Sequence, residues 1–244
     1  MVRRFAVRGY CRGVLDENTQ AIVAMAWARA FGLPDDTFAA VDGMQRRTVA
    51  HDGGEITVLQ LIGRTVLIAP RWALDEADDY TDDVLVSVAG LLDLAKDHQP
   101  RATSVQALLY ADDYLKSPGL ERADVTGDPQ AVRDLLPRCA PDDVHGAGLV
   151  EHDHRFVLLD DDEQPTAAAA YSTVHGILAD LAFVGAIEAR GTGALEVATA
   201  IAMHDALDAG LIPQLRIGVD DSSSAAQTLG FERLGTLATV VITD

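Results

Sequence analysis

The stretch "EARGTGALEV", Glu188 to Val197, sets Gly191 and Gly193 on either side of a single threonine, between an apolar run and a helical pattern. Upstream, "GILADLAFVGAI" reads as a buried strand or strand pair. Downstream, "ALEVATAIAMHDALDAG" keeps Leu195, Ala198, Ile201, Ala202 and Leu207 at helical spacing, with Gly210 as the C-terminal stop. "LIPQLRIGVD" then reads as a further strand. Strand, glycine loop, helix, strand makes the fold class α/β. The glycines take backbone angles closed to other residues and leave no side chain in a ligand's way. A helix opening at Ala194 would point its unpaired N–H groups back over the loop, as at an anion-binding helix N-terminus.

The rest of the chain supports that class. "DENTQAIVAMAWARAFGL" predicts a helix capped by Asp16 or Asn18, and "ITVLQLIGRTVLIAP" predicts two short strands about "IGR". "TDDVLVSVAGLLDLAKDH" has helical spacing at Val84, Val88, Leu91, Leu92 and Ala95, and "TSVQALLYADDYL" gives another strand. The polar stretch "KSPGLERADVTGDPQ" divides the chain near residue 123, into an α/β half of 1–123 and a second domain of 124–244. Beyond it, "DPQAVRDLLPRCA" predicts a helix with Asp128 as cap and Pro129 at its first position. "RFVLLDDDEQPTAAAAYSTV" predicts two strands about an acidic turn, and "GTLATVVITD" a final strand.

Charge bears on partners. Thirty-eight acids against nineteen bases give −19 in 244 residues, which repels nucleic acid and anionic membranes and draws in cations such as amines. No apolar run reaches membrane-spanning length, and "MVRRFAVRGYCRG" lacks the apolar core of a signal peptide. Cys11 and Cys139 have no metal-type spacing, so a reduced, cytoplasmic setting is the simplest expectation.

With the strand, "RGTG", the helix, the next strand, "LGF" and the last strand in this order, residues 124–244 resemble the GCN5-related N-acetyltransferases (GNATs). Their acetyl-CoA loop follows Q/R-x-x-G-x-G/A. Arg190 stands at its first position, Gly191 at the commonly glycine second and Gly193 at the fourth, while Leu195 replaces the small sixth residue. The resemblance implies a mixed central sheet flanked by helices, with acetyl-CoA or another acyl-CoA held through its pyrophosphate by Arg190, Gly191, Thr192, Gly193 and Ala194. It also implies that a splayed strand, Phe183, Val184, Gly185 and Ala186, lends backbone groups to the pantetheine arm. The activity implied is acyl transfer to a primary amine of a small molecule or peptide. The N-terminal half is either a diverged copy of that fold, making a tandem GNAT, or an unrelated α/β cap. The oligomeric state is open, a homodimer being one arrangement the sequence allows.

The site residues are less constrained. Tyr171, His175, Asp180 and Glu188 lie on strands leading to the loop. His175 and Asp180 are the candidate catalytic bases, His175 because it titrates near neutral pH and Asp180 directly or through water. The tyrosine that the family often carries on its last helix, able to protonate the leaving thiolate, has no counterpart in "SSSAAQTLGF". Ser222, Ser223 or Ser224 is a substitute, and Asp220 and Asp221 are either acceptor-orienting groups or an N-cap. Two alternatives remain: a non-catalytic acyl-CoA-binding or assembly protein, and a GNAT fold turned to CoA-independent chemistry. A dinucleotide loop fails at Glu196, and no Gly-Lys-Ser/Thr marks a P-loop. His152 and His154 would share one face of a strand, but with no third ligand they read as a solvated strand end rather than a metal site. "DDDEQP" lacks calcium-loop spacing and reads as a hairpin turn.

Overall fold

In the computed structural model, which describes residues 15–39, 46–114, 118–145, 147–219, 226 and 229–243, the strand, loop, helix and strand around the glycines form in the expected order. The first half of the chain supplies α1 (Glu17–Ala30), β1 (Arg47–Ala50), β2 (Glu55–Leu61) and β3 (Arg64–Ala69). The short helices α2 (Arg71–Glu76), α3 (Asp82–Leu85) and α4 (Val88–Leu94) follow, then the long strand β4 (Pro100–Tyr110). The second half supplies β5 (Asp124–Thr126), α5 (Pro129–Leu135), α6 (Pro141–His145), β6 (His154–Leu159) and β7 (Pro165–Val174). It ends with β8 (Leu178–Gly185), α7 (Ala194–Asp208), β9 (Ile212–Gly218) and β10 (Glu232–Ile242).

Local chemistry explains most of these boundaries. Ile62 and Gly63, both at positive φ, make the two-residue turn of the β2–β3 hairpin. Asp128 caps α5 by accepting the Gln130 N–H at 2.8 Å. The acidic turn after β6 closes on Asp160, whose carboxylate accepts the N–H groups of Asp162 and Gln164. The continuous helix expected over 82–98 is broken instead. Gly90 approaches the Val84 carbonyl so closely that a Cβ there would lie 2.0 Å from its oxygen, and Ser87 starts α4 afresh by accepting the Gly90 N–H. The break buries Leu91 and Ala95 but leaves Val84, Val88 and Leu92 exposed, which a single amphipathic helix would not do.

The strands form one mixed sheet in the order β1-β3-β2-β10-β4-β9-β8-β7-β6-β5, with helices on its faces. The division near residue 123 falls in a connecting loop, yet the sheet continues across it. β10, from the end of the chain, lies antiparallel between β2 and β4, and β4 lies between β10 and β9. Each half thus completes the other's hydrogen bonding.

Strand alternation sorts the centre of the sheet into two faces. Leu109, Leu215, Leu181 and Tyr171 are register partners across β4, β9, β8 and β7, and they belong to the apolar core that takes in Ala198, Ala202 and Met203 of α7. The next row, Tyr110, Gln214, Asp180 and Ser172, points to the opposite face. There α1 covers the Tyr110 end, while α5 packs over β6 and β7. That second row is polar almost throughout.

Candidate active site

The site begins where two neighbouring strands part. β8 and β9 pair in parallel from Leu178↔Ile212 to Leu181↔Leu215 and no further. Beyond that point β8 continues with β7 as far as Gly185↔Ala167, and β9 continues with β4 as far as Gly218↔Gln106. The result is a wedge in the sheet whose β8 side, Ala182 to Gly185, has backbone groups without a partner strand among the described residues. Such groups can receive an extended ligand as they would a strand.

The glycine loop stands at the open end of this wedge. Gly191 and Gly193 have φ of 77° and 85°, and Gly193 is the N-cap of α7. A Cβ at either would find nothing within 4 Å, so the outer side of the loop is open to a ligand. Thr192 Oγ1 receives the Ala194 N–H at 3.3 Å, whereas the N–H groups of Gly191, Gly193, Leu195 and Glu196 have no acceptor among the described residues. Arg190 is less free: it pairs with Asp143 of α6 at 3.0 Å. Leu195 packs on the strand end, its Cδ1 3.7 Å from where a Cβ on Gly185 would stand. The hollow bounded by Gly185, Ala186, Arg190 and Gly191 measures about 130 Å³. A larger one of about 500 Å³ lies against Gly193, Val197, Arg122 and Arg138, where Arg138 is held by Glu188 and the Pro165 carbonyl.

At the closed end of the wedge is a polar cavity of about 340 Å³ lined by Asp180, Arg216, Gln106, Ser172, His152 and Glu151, among others. Asp180 is the terminus of a hydrogen-bond chain that starts in the first half of the protein. Trp27 Nε1 donates to Tyr110 Oη at 2.7 Å, Tyr110 Oη donates to Gln214 Oε1 at 2.8 Å, and Gln214 Nε2 donates to Asp180 Oδ1 at 3.2 Å. Arg216 closes it from the cavity side with Nε on Oδ1 at 3.0 Å and Nη2 on Oδ2. Burial pushes the Tyr110 phenol far above its usual range, so its O–H remains a donor. Every donor in the chain points toward the Asp180 carboxylate.

The other expected residues are dispersed. His175 forms the β7–β8 turn at φ 51°, its ring 4.8 Å from that of Trp27, at the end of β8 remote from the glycine loop. Burial, then the Arg216 charge, lower its pKa. A histidine held neutral by the fold contributes stability that is complete above about pH 6.5 and is lost as pH falls toward its lower folded pKa. His175→Asn, a residue that tolerates positive φ, is therefore expected to flatten the acid side of the stability profile, as thermal melts at pH 5 to 8 will test. An unchanged profile sinks this account.

Tyr171 is buried on the α7 face and donates to Asp205 Oδ2 at 2.6 Å. Glu188 is exposed, its carboxyl held below the usual range by its own backbone N–H and by Arg138. His152 and His154 do not share a face. His154 stacks on Tyr171 at 4.4 Å beside α7, while His152 Nδ1 lies 3.3 Å from Ser172 Oγ on the other side of the sheet. Among the described residues no group of three His, Cys, Asp or Glu side chains is placed to hold a metal. Residues 220–225, with the Asp220–Asp221 pair and the serines, lie outside the described residues, as does Cys11. Sequence reading missed Arg216, Gln214 and Tyr110. The signal was there in "PQLRIG", where Gln214 and Arg216 stand at strand spacing inside an apolar run.

No family model and no curated protein matches the chain. Among solved structures, a candidate acetyltransferase of the GNAT family from Novosphingobium aromaticivorans is similar over 60% of this chain and 68% of its own, at 16% identity and a TM-score of 0.48. A GCN5-related N-acetyltransferase from Kribbella flavida is similar over 64% of each chain, at 20% identity and a TM-score of 0.46. A tandem GNAT protein from the clavulanic acid biosynthesis pathway is similar at 13% identity and a TM-score of 0.41, with 63% of this chain and 58% of that one covered. GCN5-related N-acetyltransferases, a tandem one included, are thus among the solved structures the chain resembles.

Proposed function

We propose that the protein transfers an acyl group, acetyl in the simplest case, from coenzyme A to a primary amine of a small molecule or peptide. One observation carries this reading: the wedge between β8 and β9 opens onto a two-glycine loop at the N-terminus of a fifteen-residue helix. From Asp180 to Gly185 is five strand residues, ~17 Å at the usual rise. A phosphopantetheine arm of about thirteen main-chain atoms matches roughly four to five extended residues. A pyrophosphate at the loop and a thioester at the polar cavity are therefore compatible ends of one ligand.

Acetyl-CoA would supply the activated acyl group, whose carbonyl carbon bonds to the amine nitrogen as its bond to sulfur breaks and the thiol takes a proton. The chain's own share is to bind, orient and polarise. The free N–H groups of Gly191, Gly193, Leu195 and Glu196 suit a pyrophosphate, helped by the helix dipole. Arg190, paired with Asp143 through Nη2, keeps further guanidinium donors beside them. The unpaired backbone of Ala182 to Gly185 receives the arm, and an N–H of the same stretch stabilises charge developing on the acyl oxygen. His175 lies outside this path, and Asp180, tied to Arg216, serves better to orient the cavity than to take a proton.

That ion pair also favours a second reading, a protein that binds acyl-CoA without turning it over. Calorimetric titration with acetyl-CoA and CoA is the test of the shared step, and micromolar binding is expected. Absence of binding at millimolar concentrations sinks both readings. Binding with no acetylation of any amine in a broad panel sinks the first alone.

A further inference from the structure

The polar cavity at the closed end of the wedge contains a guanidinium and two carboxylates, and their accessibility differs. In the Arg216–Asp180 pair the Arg216 side chain is 39% exposed and that of Asp180 12%, so a ligand in the cavity meets the cation of the pair. Arg216 uses its side-on donors, Nε and one Nη2 N–H, on Asp180. Its end-on donors, one N–H from each Nη, have no partner among the described residues. Those two are spaced to match a second carboxylate. The guanidinium is also held in place. Asp180 fixes it on one side, and Asp180 is in turn fixed by Gln214, Tyr110 and Trp27 from the sheet interior. A donor pair held this rigidly loses little freedom when an anion arrives. Glu151, exposed on the wall of the same cavity, provides negative charge for an ammonium group.

We propose that Arg216 sets acceptor specificity by gripping a carboxylate, so that the substrate class is an amino acid or related amino carboxylate rather than a simple amine or polyamine. The overall charge of −19 acts on encounter with charged ligands, while the fixed donors inside the cavity decide which ligand stays. Asp180 is on this view a positioning residue for Arg216. Tyr110 and Trp27 extend that support, which gives the N-terminal half a part in recognition. The inference rests on the acyl-transfer reading only in treating this cavity as the acceptor's; the carboxylate grip stands on geometry alone.

The test uses the full chain and ligand-observed NMR titration. The probes are L-alanine, β-alanine and γ-aminobutyrate, each paired with the amine that lacks its carboxylate. At least one amino carboxylate is expected to bind about tenfold more tightly than its paired amine. In Arg216→Gln that preference should vanish, and Arg216→Lys should restore part of it. If no amino carboxylate exceeds its paired amine in the unmodified protein, the proposal is overturned, whatever the variants do. A folded Arg216→Gln protein that keeps the preference overturns it as well. CoA is titrated separately. Amino carboxylate binding without CoA binding removes the acyl-transfer reading and leaves the grip standing, whereas CoA binding without the carboxylate preference removes the grip alone.

Discussion

Asp180→Ala is expected to destabilise the protein by about 2–3 kcal/mol, a fall in melting temperature of roughly 5–10 °C for a chain of this size. The carboxylate accepts from Gln214 and twice from Arg216, and these donors fare differently once it is gone. Arg216 can turn toward the solvent it already touches. Gln214 is buried, and its amide loses an acceptor where water enters only through the cavity left behind. Asp180→Asn keeps Oδ1 as an acceptor for Gln214 and should cost about half as much, because the charge and the acceptor for Arg216 Nη2 are lost while the buried amide stays paired. Tyr110→Phe removes the donor to Gln214 and the acceptor of Trp27 Nε1. Since Tyr110 and Asp180 share Gln214, their effects should couple by more than about 0.5 kcal/mol. Thermal melts of the two single variants and the double variant measure this directly. A shift under 2 °C for Asp180→Ala, or strict additivity, means that the chain of hydrogen bonds does not stabilise the fold.

That chain also marks where sequence reading stopped. Features set by neighbours along the chain were legible: the α5 cap at Asp128, the Ile62–Gly63 hairpin, the acidic turn at Asp160 and the start of α7 at Ala194. Each depends on residues within a few positions of one another. The polar row needed a register between strands far apart in sequence. Tyr110 and Gln214 are 104 residues apart and become neighbours only because β4 inserts beside β9. The placement of β10 between β2 and β4 is likewise absent from any local pattern. β1 escaped notice because "RTVA" is short and mostly exposed, so alternation has little to act on. The helix over 82–98 misled for the opposite reason. Its apolar spacing is real, but Gly90 folds the chain back against Val84, and periodicity does not report such an approach. His175 was attractive for its chemistry, and it occupies the β7–β8 turn beside Trp27, at the end of β8 away from the glycine loop.

The glycine loop gives the largest expected effect on ligand binding. Gly193→Val should lower CoA affinity by well over tenfold while the protein remains folded. At φ 85° an L-residue is strained by ~1–2 kcal/mol, and a β-branched one by more. No neighbouring atom lies within 4 Å of the new Cβ, so the strain is conformational and the backbone can relieve it only by rotating. Rotation at the N-cap of α7 re-aims the N–H groups of Gly193, Leu195 and Glu196, on whose convergence a pyrophosphate depends. The same helix provides the control. Gly210, just past its C-terminal end, has φ 76° and equally open surroundings. Gly210→Ala and Gly193→Ala should therefore cost similar stability, about 1 kcal/mol each, but only the second should weaken CoA in calorimetry. Equal loss of CoA affinity in both would mean that binding follows the general stability of α7. Loss confined to Gly193 would locate the phosphate contacts at the loop, because position along the helix is then all that separates the two variants.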